Sequence, residues 1–83
     1  MGTKEKLIKR FLSQPSDFTW NEYCRLFNIL GFSLSNKGKT SGSRILFVKD
    51  NIRYFAHKPH PEKFIDKGMM KQTLEFLTKN DLL

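Results

Sequence analysis

The chain contains two kinds of hydrophobic pattern, and they occupy different stretches. Apolar side chains return every three or four positions, as in amphipathic helices, in residues 3–13, 20–30 and 69–79. They alternate or cluster with β-branched and aromatic residues, as in strands, in residues 32–34, 43–49 and 52–57. The order α-α-β-β-β-α predicts an α+β fold, a two-layer sandwich with three antiparallel strands and the last two helices on one sheet face.

Local signals mark where these elements begin and end. Pro15 ends the first helix, and Thr19 with Glu22 forms a capping box that starts the second. Gly31 occupies the left-handed position that commonly stops a helix. Asp50-Asn51 is a two-residue turn that makes the second and third strands a hairpin. Residues 58–67 read as a connection, and we expect a turn at Gly68 before the last helix.

Both faces of the predicted hairpin carry apolar residues. Ile45 and Phe47 alternate with Leu46 and Val48, and the returning strand repeats this arrangement. A sheet with one face in water should show polar residues at every second position. We therefore expect something to cover part of the second face. The candidates are the first helix, a second copy in a homodimer and a partner protein, and we rank an intermolecular partner first.

Composition and charge narrow the class of protein. Eighty-three residues with 39% hydrophobic and 13% aromatic content make one folded domain. The formal net charge is +7, and residues 36–71 alone, with nine basic and three acidic side chains, contribute +6 of it. A basic central region is typical of proteins that bind a polyanion or an acidic protein, although such charge can also serve only to keep a protein surface soluble.

Cysteine content and acidic spacing exclude several site types. Cys24 is the single cysteine, so one chain forms neither a disulfide framework nor a cysteine-based zinc site. Glu62 and Asp66 lack metal-ligand spacing, and we expect no metal and no cofactor. Apolar runs are short and charges occupy the start of the chain. These features predict a soluble cytoplasmic protein without a membrane segment.

An ordered set of short motifs resembles the HicA toxin family. It consists of Leu30-Gly31-Phe32, of Gly42-Ser43 opening a strand, and of His60 followed by Gly68 and a closing amphipathic helix. The resemblance covers residues 19–83 of the single domain 1–83. Residues 1–18 then form an additional N-terminal helix and linker.

This resemblance implies a fold like the double-stranded-RNA-binding domain. It also implies a toxin that cleaves mRNA without a metal, and so blocks translation, until a HicB-like antitoxin binds it. The family motif is Gly-Ser-His with a catalytic histidine, whereas this chain has Arg44 at that position. An arginine stays protonated and cannot act as a general base.

Metal-free RNA cleavage needs a base for the 2′-hydroxyl proton, an acid for the leaving 5′-oxygen and a cation for the phosphate. His57 and His60 are the two histidines of the chain, and imidazole suits proton transfer near neutral pH. Arg44 can bind a phosphate through two parallel hydrogen bonds. His60 matches a family position, although the usual proline two residues before it is replaced by Lys58 and the proline stands at Pro59. The alternatives are that His57 only ends a strand and that His60 is a surface turn residue.

Residues that touch RNA without reacting are expected around the hairpin. Phe55 is a candidate for stacking on a base if it shares an exposed face with Arg53. Trp20 is expected in the core. The candidate RNA contacts are Lys37, Lys39, Ser43, Arg44, Arg53, Lys58 and Lys63.

Three functions remain open on these grounds. The first is a HicA-type endoribonuclease toxin that acts on mRNA and is neutralised by a HicB-like partner. The second is a module of the same fold that binds RNA or protein without catalysis, because Arg44 replaces the histidine. The third is a structural interaction domain, which predicts no salt-dependent RNA binding.

Overall fold

The computed structural model describes residues 3–35, 44–59 and 63–83. These described residues form three helices and one three-stranded sheet, and the predicted order α-α-β-β-β-α is confirmed. The elements are α1 Thr3–Leu12, α2 Trp20–Ile29, β1 Ser33–Ser35, β2 Arg44–Lys49, β3 Ile52–His57 and α3 Lys67–Lys79.

The sheet is antiparallel with β2 in the centre, between β1 and β3. The β2–β3 hairpin closes on the predicted two-residue turn, where Asp50 has a φ of 51°. Lys49 pairs with Ile52 next to that turn, and Arg44 pairs with His57 at the open end of the hairpin. A short turn therefore fixes the register of the entire hairpin.

Helices α2 and α3 pack on one face of this sheet, here called the inner face. The ring of Phe47 stacks on Phe27 of α2 with centroids 4.3 Å apart, and Tyr54 stacks on Phe76 of α3 at the same separation. Paired residues of adjacent strands point to the same side. The inner-face strand residues are Leu34, Ile45, Phe47, Lys49, Ile52, Tyr54 and Ala56.

The opposite side of the sheet is here called the outer face. Helix α1 does not lie on it, because Phe11 is buried beside Phe18 and Arg10 hydrogen-bonds to Glu22 of α2. The first helix is thereby removed from the three candidates for covering this face. The outer-face residues are Ser33, Ser35, Arg44, Leu46, Val48, Arg53, Phe55 and His57.

Helix α2 begins and ends as its sequence predicts. The Thr19 side chain accepts a hydrogen bond from the Glu22 backbone N–H, and the Glu22 carboxylate accepts one from the Thr19 backbone N–H. At the other end Gly31 has a φ of 100°, and the Phe32 N–H donates to the Phe27 carbonyl at 2.9 Å. The Phe27 and Phe32 rings also contact each other, which completes a Schellman motif.

Two details of the other helices differ from the prediction. Gly68 is the second residue of α3 and not a turn before it, because the Asp66 side chain caps the helix by accepting from the Met69 N–H. An aspartate cap thus starts the helix one residue before the glycine. Leu12 belongs to the apolar stripe of α1 by sequence, yet it is exposed at the end of that helix.

A short bridge ties the segment before α3 to the start of α2. Thr19 and Phe64 form an isolated antiparallel bridge, in which the Trp20 N–H donates to the Lys63 carbonyl and the Ile65 N–H donates to the Phe18 carbonyl. Phe18 and Ile65 are both buried in the core. The chain leaving β3 is therefore held against the beginning of α2.

Candidate nucleic-acid interface

The outer face brings together two residues that the sequence offered separately as catalytic candidates. Arg44 and His57 are direct partners in the β2–β3 register, so their side chains point to the same side at the open end of the hairpin. Residues directly opposite in an antiparallel pair have Cβ atoms about 5 Å apart. Both side chains are exposed to solvent. A cation and an imidazole are thus presented side by side.

The aromatic ring of Phe55 lies next to this pair. The Arg44 guanidinium carbon is 5.3 Å from the centroid of the Phe55 ring, within the range of a cation–π contact. Arg53 is two residues from Phe55 on the same strand and is also exposed. The predicted condition for a stacking role, that Phe55 and Arg53 share an exposed face, is met.

The charged side chains that the described strands place on this surface have one sign. Arg44 and Arg53 lie on the outer face, and none of the residues of β1, β2 and β3 is acidic. Leu46 and Val48 lie between these cations and are half-buried, which explains why both sides of the hairpin looked apolar in the sequence. The outer face therefore combines half-buried apolar side chains with exposed cations around them.

A second basic feature lies where the chain leaves β3. A cleft of about 300 Å³ is lined by Lys58 and Lys63 together with Thr19, Trp20, Asn21 and Pro59. The bridge between the Trp20 N–H and the Lys63 carbonyl holds one wall of this cleft. Two of the lysines predicted to contact RNA therefore line one concave surface.

Trp20 lines this cleft and also packs on the core. Its ring stacks on Tyr23 with centroids 5.3 Å apart and packs against the core, as predicted. Cys24, one turn further along α2, is half-buried, and burial raises the pKa of its thiol. Its thiolate form is correspondingly disfavoured.

Four of the predicted site residues, Lys37, Lys39, Ser43 and His60, lie outside the described residues. The described residues divide the others between two places, with Arg44, Arg53 and His57 on the outer face and Lys58 and Lys63 at the cleft. The sequence reasoning considered His57 mainly with His60 and missed its position opposite Arg44. The signal was present, since counting outward from the Asp50-Asn51 turn pairs these two residues.

Residues 3–35, 44–59 and 63–83 contain no group of three histidine, cysteine or acidic residues arranged to hold a metal ion. None of the helices formed by these residues has the length and apolar character needed to cross a membrane.

Comparison of the chain with protein-family models, with curated proteins and with solved structures finds no match in any of the three.

Proposed function

We propose that this protein is the toxin of a HicA/HicB-type pair, which binds mRNA on the outer face of its sheet and cleaves it. The observation that carries the proposal is the direct pairing of Arg44 with His57 on an exposed surface that has no acidic strand residue. The resemblance to HicA toxins and the basic middle of the chain support the same function. The fold proposed with it is that of the double-stranded-RNA-binding domain.

The proposed reaction uses only the RNA, water and side chains of this chain. The His57 imidazole takes the proton of a ribose 2′-hydroxyl, and the 2′-oxygen attacks the adjacent phosphorus. The bond from phosphorus to the 5′-oxygen breaks, and water supplies the proton to that oxygen. The products are a 2′,3′-cyclic phosphate and a 5′-hydroxyl, and no oxidant or metal is needed.

Arg44 has the complementary role in this proposal. Its guanidinium stays charged and donates two parallel hydrogen bonds to phosphate oxygens, so it stabilises the extra negative charge that develops during attack. His57 supplies the proton acceptor that an arginine cannot be. The two residues together thus replace the single histidine of the family motif.

A second candidate function is a module that binds RNA or protein without cleaving it. The replacement of the family histidine by Arg44 favours this candidate, because it removes the base from the position that the family uses. Both candidates share the binding surface. They differ only in whether His57 completes a reaction.

The test is inducible expression in cells together with incubation of purified protein with RNA. The toxin function predicts growth arrest and RNA fragments that end in a 2′,3′-cyclic phosphate. Arg44→Ala and His57→Ala should each reduce cleavage about a hundredfold or more. The matched control is Arg25→Ala, which removes an exposed arginine from α2 and should leave cleavage unchanged.

The outcomes separate the candidates. RNA binding that weakens with salt, without any product, would support the non-catalytic module. Cleavage that survives His57→Ala would remove this imidazole from the mechanism. A protein that neither binds nor cleaves RNA would exclude both functions.

The proposed partner is a HicB-like antitoxin. This part of the proposal rests on the resemblance alone, and it predicts that a neighbouring reading frame encodes a protein that suppresses the growth arrest. Co-expression of the two reading frames tests it, since growth should then recover and the two proteins should co-purify.

A further inference from the structure

One ring of the sheet is left in an unusual position. Phe47 and Tyr54 stack against helix aromatics on the inner face, whereas Phe55 points outward and is 52% exposed. Because only about half of this ring is removed from water, much of the stabilisation that burial of a phenylalanine provides is left unused at this position. An exposed aromatic ring on a sheet surface can stack on another planar group.

The contact with Arg44 places a positive charge over one face of that ring. The guanidinium carbon lies 5.3 Å from the ring centroid, and Arg53 follows on the same strand. Within one nucleotide, the base and its phosphate are separated by little more than the sugar. A base on the Phe55 ring would therefore bring its own phosphate close to the Arg44 guanidinium.

The pairing state of the RNA decides whether such a contact can form. In a duplex both faces of each base are covered by the neighbouring base pairs, and sequence-tolerant stacking on aromatic side chains is a property of single strands. The strand residues carry no acidic group that would repel the backbone. An unpaired stretch of RNA can stack a base on the ring and also bring its phosphates to the cations.

We propose that the outer face binds unpaired RNA, with one base stacked on Phe55 and the adjoining phosphate on Arg44. This inference rests on the proposed RNA-binding function and adds the substrate class. The ring accepts any base, because every base has a π-face, so the preference is for strandedness and not for sequence. The sugar is not recognised by stacking, and an uncleavable 2′-O-methyl strand should bind as the natural one does.

The test measures fluorescence anisotropy with a labelled, unstructured 2′-O-methyl RNA, and with the same strand annealed to its complement. The single strand should bind more tightly than the duplex. Phe55→Leu keeps an apolar side chain but removes the ring, and it should weaken single-strand binding about five- to hundredfold. It should leave the duplex affinity unchanged.

The matched control is Leu34→Ala. Leu34 is 51% exposed and lies on the inner-face side of β1, so this change removes a comparably exposed apolar side chain away from the outer face. Single-strand affinity should stay at the parent value. Unfolding midpoints in urea, which should be equal for the parent and both variants, show that each variant is folded.

Two results would overturn the inference while leaving RNA binding itself in place. The first is single-strand affinity that survives Phe55→Leu but falls with Arg44→Ala. The second is a duplex bound as tightly as the single strand. Light scattering adds a third: a stable dimer that dissociates on Phe55→Leu would show that a second copy, and not RNA, occupies the ring. If the parent protein binds neither RNA, the proposed function fails with the inference.

Discussion

The hydroxyl group of Thr73 lies 2.9 Å from the hydroxyl group of Tyr23, inside the layer between α2 and α3. Tyr54 of β3 reaches the same threonine oxygen at 3.1 Å. Thr73 and Tyr23 are both fully buried, and burial raises the pKa of Tyr23. One small hydroxyl thus connects the sheet and two helices at a single point.

Thr73→Val should destabilise the protein by about 1–3 kcal/mol. The valine has nearly the same shape, but it leaves the buried Tyr23 hydroxyl without its partner. Chemical unfolding in urea measures this change, and Thr78→Val on the exposed side of α3 is the control. Adding Tyr23→Phe to Thr73→Val should recover part of the loss, because the unpaired hydroxyl is then removed. No recovery would mean that the loss arises from packing.

Alanine substitutions at Gly31 and at Gly68 should change the stability of the protein in opposite directions. Gly31 has a φ of 100°, and an added Cβ would lie 2.6 Å from the Lys49 Nζ. The lysine end can move, so the backbone strain is the lasting cost, and Gly31→Ala should destabilise by about 1–2 kcal/mol. Gly68 is helical with only an ordinary contact to Asp66, so Gly68→Ala should stabilise by about 0.5–1 kcal/mol.

Urea unfolding midpoints of the two glycine variants check this pair. Lys49→Ala added to Gly31→Ala should recover little stability if strain dominates. A large recovery would show instead that the collision with the lysine was the main cost.

Acid should weaken the attachment of α1 to α2. The Arg10 Nε donates to a Glu22 carboxylate oxygen at 2.8 Å, and this hydrogen bond lowers the pKa of Glu22. A lowered folded-state pKa means that the stabilisation is complete above the ordinary glutamate pKa and is lost as pH falls through the folded-state value. The parent should therefore lose this contribution as pH falls below about 4.3.

Glu22→Gln is the variant that isolates this effect. It should be less stable than the parent at pH 7 by about 1 kcal/mol or less, since the ion pair is partly exposed. The difference between them should shrink in acid. Glu75→Gln, at an exposed position of α3, should show no comparable pH-dependent difference. Parallel pH profiles for Glu22→Gln and the parent would contradict the prediction.

The lysines of the cleft should contribute to RNA affinity without changing the preference for single-stranded over duplex RNA. Lys58→Ala and Lys63→Ala should each weaken single-strand and duplex binding alike. Each should also reduce the salt slope, the steepness with which the logarithm of the binding constant falls with the logarithm of salt concentration, by about one. Lys79→Ala, at the far end of α3, should leave the slope unchanged. Affinities measured over a range of salt concentrations test this. An unchanged slope in both variants would exclude the cleft as a phosphate contact.

Arg44→His restores the Gly-Ser-His motif of the resembling family. In the proposed mechanism His57 is already the base and Arg44 supplies the charge, so the new imidazole should not replace the guanidinium, and RNA cleavage should fall about a hundredfold or more. Arg44→Gln removes the same charge without adding a base, and it should lower cleavage to a similar extent. Cleavage rates of the parent and both variants on one RNA test this prediction. A gain in rate with Arg44→His would show instead that a base at position 44, as in the family motif, carries the reaction.

Much of this fold follows from local chemistry. The Thr19–Glu22 capping box, the stop at Gly31 and the turn at Asp50-Asn51 are each decided by neighbouring residues, and each was predicted correctly. Gly68 was misplaced because the cap at Asp66 outweighs the turn preference of a glycine. The covering of the sheet could not be predicted, since it depends on the docking of α1 through Arg10 and Glu22, which are distant in sequence.

The bridge between Thr19 and Phe64 has a consequence for the order of folding. The β2–β3 hairpin and the α2 cap are local, whereas this bridge joins residues far apart in the chain and closes a long loop at a larger entropic cost. We expect it to form after the hairpin. The walls of the basic cleft would then be assembled after the sheet, so a partly folded chain would present the outer face before the cleft.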